Sequence, residues 1–296
     1  MDPCRAASSH ERRGSVFFAP GGPPALAPQA TQATLATQAT LAPQAALAPQ
    51  ASLLPGESAD DLQCQGLAVI QKRGMYRFGV DAVLLANFAR AKRGAAVIEL
   101  CSGSGVVSIL MSAKTEAASL HGVDIQEAFV DMSNRSAALN GLSGRVSFAW
   151  ADLRDIGSLP PRSSADVVVA NPPYLPCGAG KTSRGAGLAI ARHEVCCTLG
   201  DVLAAAAHLL KPGGALYMVH RAGRLADALC GMKARGIAPR TVQLAHPTRG
   251  APASLALVGA WVHPNNGKRR HCEDEARKSA DARAEMKILP PLWMNE

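Results

Sequence analysis

Residues 165–174 read Ala-Asp-Val-Val-Val-Ala-Asn-Pro-Pro-Tyr, an apolar run shut off by two adjacent prolines. A continuous Val-rich run bounded by turn residues is the pattern of a strand buried on both faces of a parallel sheet. Neither Pro172 nor Pro173 has an N–H for the ladder, and each fixes φ, so the strand must stop there. It ends by presenting an amide, Asn171, and a ring, Tyr174, at its carboxyl end, where open α/β sheets bind ligands. An amide oxygen can accept from a planar –NH2 group and a tyrosine ring can stack on a planar base. Taken alone, the tetrad is also consistent with a proline-rich turn.

Strand-like and helix-like patterns alternate around this run. Strands are expected at 95–100, 120–125, 145–149, 167–170 and 215–220, and helices at 106–114, 127–140, 201–210 and 224–235. Pro212-Gly213-Gly214 is expected to supply the turn into the strand at 215–220. Two β-rich runs, 241–245 and 254–262, lie close together and suggest an antiparallel hairpin. The fold class expected is α/β, a doubly wound, mostly parallel seven-stranded sheet with that hairpin at its end.

The flanks read differently. Residues 25–51 carry a hexapeptide repeat, seen as Ala25–Ala30, Thr34–Ala39, Thr40–Ala45 and Ala46–Ala51. It is uncharged and has one Leu per unit, too little apolar area to offset the entropy of ordering. Residues 1–58 are therefore expected to be a disordered extension, 59–265 the folded domain, and 266–296 a charged tail.

Composition narrows the partners. The chain carries 31 Lys and Arg against 23 Asp and Glu, a net charge of +8, which favours an anionic partner. Seven basic residues (Lys211, Arg221, Arg224, Lys233, Arg235, Arg240, Arg249) face a single acid, Asp227, between 211 and 249. Phosphate attraction by such a run would be salt-sensitive. The eight cysteines show no CxxC pair or metal-ligand spacing, so reduced cytoplasmic thiols and no metal are expected. No apolar stretch reaches the roughly 18 residues of a membrane span, and no apolar core follows Arg5, Arg12 and Arg13, so neither membrane nor signal peptide is expected.

Glu99-Leu-Cys-Ser-Gly103-Ser-Gly105 falls where the first strand turns into the first helix. Gly103 and Gly105 permit a tight turn and close approach of a ligand, although a Gly-x-Gly can also be only a turn. Acids support the ligand reading: Asp124 ends the second strand, 21 residues after Gly103, where a carboxylate can meet ribose hydroxyls. Asp152 follows the third strand, placed for the amine of an adenine. A nicotinamide dinucleotide is disfavoured because Ser108 stands at the third glycine position, and the absence of a loop lysine excludes a P-loop. Glu99 would repel a pyrophosphate and tolerate a cationic ligand.

With these residues the body resembles a class I S-adenosylmethionine-dependent methyltransferase. It is most similar to the bacterial tRNA (adenine-N6)-methyltransferase family acting beside the anticodon of valine tRNA. Gly74–Asp81 with Leu84-Leu85, Ala191-Arg192-His193-Glu194 and Lys211–Gly214 also match that family. The resemblance spans about 62–263 and implies S-adenosylmethionine as cofactor, held by Glu99, Gly103, Gly105, Asp124, Asp152 and Asn171. It implies an RNA substrate, tRNA foremost, methylated with Asn171 and Pro172 accepting the N–H bonds of the target amine and Tyr174 stacking on the base through its ring. By the same resemblance Tyr76 and Asp81 would help close the floor of the cofactor site. His193-Glu194, neighbours in sequence that point differently, are expected to make helix-start contacts or to order a loop over the active site and not to form an acid/base pair. Cys101 departs from the pattern, where many relatives have glycine. Methylation of a protein glutamine amide, of a DNA adenine or of an rRNA guanine remain alternatives, as does an RNA-binding protein that kept the fold.

Overall fold

The computed structural model describes residues 53–174, 197–264 and 286–294. Its first elements are an antiparallel hairpin, β1 (Glu57–Asp61) and β2 (Ala68–Lys72), and a helix, α1 (Val80–Phe88). Then come β3 (Ala96–Leu100), α2 (Val106–Lys114), β4 (Ser119–Asp124), α3 (Glu127–Leu139) and β5 (Val146–Trp150). After β6 (Ala165–Ala170), α4 (Leu199–Leu209), β7 (Leu210–Arg221) and α5 (Leu225–Ala234) complete the alternation. The chain finishes with β8 (Ile237–His246), β9 (Leu255–Val262) and two short strands, β10 (Lys287–Ile288) and β11 (Leu292–Trp293).

The main sheet runs β10-β8-β9-β7-β6-β3-β4-β5, with β11 also on β8. Strands β5, β4, β3, β6 and β7 are parallel neighbours, while β9 is antiparallel to both β7 and β8. The seven longer strands and the antiparallel end match the expectation. Along β6, Val167 and Val169 pack into one cluster with α1 and α2, and Val168 and Ala170 into another with α4 and α5. The alternating burial explains why the run is apolar throughout: both faces are covered by helices. The chain leaves β3 toward β4 and β5, then crosses back to β6 on the other side of β3. This reversal of order opens a crevice at the carboxyl ends of β3 and β6.

Three features differ from expectation. Residues 211–214 do not form a free turn but a bulge inside β7. Ala165 pairs with Leu210 and Val167 with Ala215, so four residues of β7 face one of β6. Pro212 has no ladder donor and Gly213 sits at φ 80°, both suited to leaving the register. Second, β1 begins at Glu57, inside the segment expected to be an extension. It is tied to α3 by two Arg135–Glu57 bonds of 2.8 and 2.7 Å, while β2 is tied by Ile70 N–H to Ser136 Oγ at 2.9 Å. Third, residues 286–294, expected in the charged tail, lie parallel to β8, with Leu289 N–H donating to Val242 O at 2.8 Å and Met294 N–H to His246 O at 2.9 Å. They cover what would be an open sheet edge. No described helix is long and apolar enough to cross a membrane. The repeat and the Arg192–Glu194 segment lie outside the described residues.

Candidate active site

The carboxyl ends of the strands surround a cavity of about 530 Å³, within the usual size range for a small-molecule site. Of the residues expected from the sequence to act in catalysis or hold the cofactor, all but Gly105 line it: Glu99, Gly103, Asp124, Asp152, Asn171, Pro172 and Tyr174, with Tyr76 and Asp81. Gly105 is behind the loop, at φ 77° as the N-cap of α2. A Cβ there would meet the Phe148 ring at 2.5 Å, so a side chain is excluded by both conformation and packing. Cys101 also takes a left-handed conformation, φ 56°, at a place where glycine would be unstrained. Its Sγ lies 4.0 Å from that of Cys197. That contact, and then burial, hold the Cys101 thiol well above its usual range, which keeps it protonated.

Glu99 and Asp124 are nearly inaccessible. Glu99 accepts from Ser108 N–H at 2.9 Å and from Ser108 Oγ at 2.5 Å. Serine at the third glycine position thus holds the acid in place. Burial still dominates and pushes the Glu99 carboxyl up to about 8. Asp124 accepts from Gly103 N–H at 2.8 Å and Gln126 N–H at 2.9 Å, which join the glycine loop to the start of α3. Burial raises its pKa against these bonds. Asp152 is held low by Arg154, which reaches both carboxylate oxygens at 2.6–3.2 Å. Ser102 Oγ is buried beside the cavity with no hydrogen-bond partner among the described residues.

On the opposite wall the Tyr174 hydroxyl lies 2.7 Å from Asp81 Oδ2 and also contacts Asn171 Oδ1. The ring meets His220 edge-on at 5.3 Å, and the Arg221 guanidinium lies 5.6 Å over it. His220 is buried, its Nδ1 accepts from Arg221 N–H at 2.9 Å, and burial, then Arg224, lowers it to about 4. It is neutral at pH 7 and carries its proton on Nε2.

Sequence reasoning missed Arg221, His220, Ser254, Leu255 and Met294 as neighbours of the site. His220-Arg221 had a signal, since they end a strand pointing the same way as the others. Met294 had none. Of the seven basic residues between 211 and 249, Arg221 alone lines the cavity. Lys211 pairs with Asp166 at 2.8 Å near the start of β7, and Arg224 pairs with Asp227 at 2.9 Å. The run is therefore not gathered around the site.

Residues 76–229, just over half the chain, match the methyltransferase small domain family. The chain belongs to that family. Among its curated relatives, the tRNA1(Val) (adenine(37)-N6)-methyltransferase of Aeromonas salmonicida is 26% identical over 155 residues, which is 52% of this chain and 63% of the relative. The 4-amino-L-phenylalanine/4-methylamino-L-phenylalanine methyltransferase of Streptomyces pristinaespiralis is 30% identical across 60% of this chain and 53% of that protein. A release factor glutamine methyltransferase of Gloeobacter violaceus is 30% identical across 55% and 58%. The chain thus spans less than two thirds of the length of these relatives. Among solved structures, a predicted O-methyltransferase from Agrobacterium tumefaciens matches with a TM-score of 0.54 at 21% identity, over 73% of this chain and 88% of that one. This likeness is one of fold, the Rossmann-like methyltransferase architecture.

Proposed function

We propose that this chain transfers a methyl group from S-adenosylmethionine to the exocyclic N6 of an adenine in RNA, with tRNA as the substrate and the cytoplasm as its setting. The observation that carries the reading is the meeting, in one cavity, of the Asn171-Pro172-Pro173-Tyr174 strand end with the glycine loop and Asp124. The acceptors named for the three relatives (adenine, 4-aminophenylalanine and glutamine) each bear an –NH2 conjugated with a π-system. That shared chemistry favours an amino acceptor over a hydroxyl or carbon.

The cavity fits the cofactor. Among the described residues the buried Glu99 has no cation beside it and Ser102 Oγ has no hydrogen-bond partner, and the turn at Gly103 leaves backbone open to a ligand. Glu99 would hold the cationic amino-acid end, Asp124 the ribose hydroxyls and Asp152 the adenine amine, after release from Arg154. Bound there, S-adenosylmethionine supplies an electrophilic methyl group on a sulfonium. The conjugated amine is a poor nucleophile, and accepting its N–H bonds favours a pyramidal nitrogen with its lone pair free. The Asn171 side-chain oxygen and the Pro172 carbonyl take that role. The rest is orientation of the amine within the cavity.

Purified protein incubated with S-adenosylmethionine and undermodified tRNA, followed by mass spectrometry of the nucleosides, tests the reading. N6-methyladenosine is expected. Methylation of a release-factor glutamine and not of RNA would replace it with the amide reading.

A further inference from the structure

The Tyr174 hydroxyl has one proton and two neighbouring acceptors, Asp81 Oδ2 at 2.7 Å and the Asn171 side-chain amide, which meets it through Oδ1. Asp81 is placed to claim that proton. It lies in the first turn of α1, where unsatisfied N–H groups favour a negative charge, and its other oxygen accepts from Ala82 N–H at 2.9 Å. An ionised carboxylate only accepts. The tyrosine oxygen therefore has only lone pairs to offer Asn171. The two ends of an amide are nearly alike in shape, and the arrangement that satisfies all three groups has Asn171 Nδ2–H donating to Tyr174. Oδ1 is then left to the cavity that Asn171 lines.

We propose that Asp81 is a positioning residue for the methyl acceptor, fixing through the Tyr174 hydroxyl the direction of the Asn171 amide, so that its oxygen and not its nitrogen meets the –NH2 group. This rests on the acceptor role of Asn171 set out above. In the reverse order the substrate amine would meet another donor, which repels it. Gly79 belongs to the same device. A Cβ on it would come within 2.9 Å of Asp81 Oδ1, so glycine leaves the room the carboxylate occupies. The ring of Tyr174, braced by His220 and Arg221, keeps its hydroxyl between Asp81 and Asn171.

The test compares Asp81→Asn, Tyr174→Phe and the double variant, measuring kcat and acceptor KM and, by calorimetry, S-adenosylhomocysteine affinity. Each single variant is expected to lose at least about tenfold in kcat with cofactor affinity within about threefold of the parent, and the double to be no slower than the worse single. A parental kcat in either single, or a double loss equal to the product of the two, overturns the proposal. If Asp81→Asn does not fold, Tyr174→Phe decides alone, because a ring that only stacks loses nothing with its hydroxyl.

A second readout needs no substrate. Burial first, then Asp81 and Tyr76, hold the Tyr174 phenol well above its usual range, against the pull of Arg221. In Asp81→Asn one of the three tyrosines should ionise at lower pH, followed by phenolate absorbance. An unchanged titration overturns the Asp81–Tyr174 link. If the parent methylates no amino acceptor, the proposed function fails, while this titration still reports on the link.

Discussion

Glu99→Gln isolates what a buried acid contributes at the cofactor end of the cavity. The carboxyl is raised from 4.5 to about 8, burial outweighing its two bonds from Ser108. At about 1.36 kcal/mol per pH unit, that rise amounts to about 5 kcal/mol. The folded protein holds a proton on Glu99 that the unfolded chain releases above 4.5, so stability from this group is full below 4.5. It is lost progressively up to about 8 and is level beyond. Glutamine keeps an acceptor for Ser108 and does not ionise, so the variant lacks this slope. Between pH 5 and 8 the parent should lose about 3–4 kcal/mol relative to Glu99→Gln in denaturant unfolding. Asp124, shifted the same way, is common to both proteins and cancels. Binding carries the same proton. A ligand whose cation meets Glu99 draws it into the ionised form, so S-adenosylhomocysteine should release about one proton near pH 6.5. Calorimetry in buffers of different ionisation enthalpy measures that number. Equal proton release by parent and variant would refute the assignment of Glu99 to the cationic end.

Asn171→Ala removes the acceptor oxygen but leaves Glu99, Asp124 and the loop in place; turnover should fall at least a hundredfold, about 2.7 kcal/mol on the barrier. Cofactor affinity, by calorimetry, should change far less. Deleting residues 1–52 should leave melting temperature and turnover at parental values, whereas deletion through 61 should lower melting temperature because it takes Glu57 from Arg135 and β1 from β2. Deleting 286–296 strips β10 and β11 from β8 and Met294 from the cavity wall, so acceptor KM should rise more than cofactor affinity falls.

The parts of the fold legible in sequence were those in which hydrophobic burial dictates the pattern. Val167–Ala170 is apolar at every position because each face of β6 meets helices, and the sheet around it follows from the same logic. Strand β1, Glu-Ser-Ala-Asp-Asp, has no such pattern. It is a strand only because β2 supplies its ladder and Arg135 neutralises Glu57. Strands β10 and β11 are two residues each and depend on main-chain bonds to β8, to which side-chain periodicity is blind. Within the site, position at a strand end gave Glu99, Asp124, Asp152 and Asn171. The partners of those groups were hidden because they come from distant segments: Asp81 is 93 residues from Tyr174. The proposed use of the Tyr174 hydroxyl, where the ring alone was expected to act, rests on one such contact.

That contact also bears on why a carboxylate would stand three hydrogen bonds from the methyl acceptor instead of touching it. As the methyl group moves, positive charge grows on the nitrogen, and an oxygen accepting its N–H bonds gains strength in the transition state over the ground state. A carboxylate in that position would supply the strongest field, but it is itself a nucleophile and would compete for the methyl group. An amide oxygen is a much weaker nucleophile. In the proposed arrangement, with Asn171 at the point of contact and Asp81 behind it, the carboxylate would polarise Tyr174 and then the amide, and chains of this kind strengthen each bond by about 10–30%. That separation would place charge where it stabilises the product and withhold it from the electrophile. By the same argument, Asn171→Asp, isosteric and more strongly accepting, should be slower than the parent. Its carboxylate would face Asp81 across Tyr174, with one hydroxyl proton for two anions.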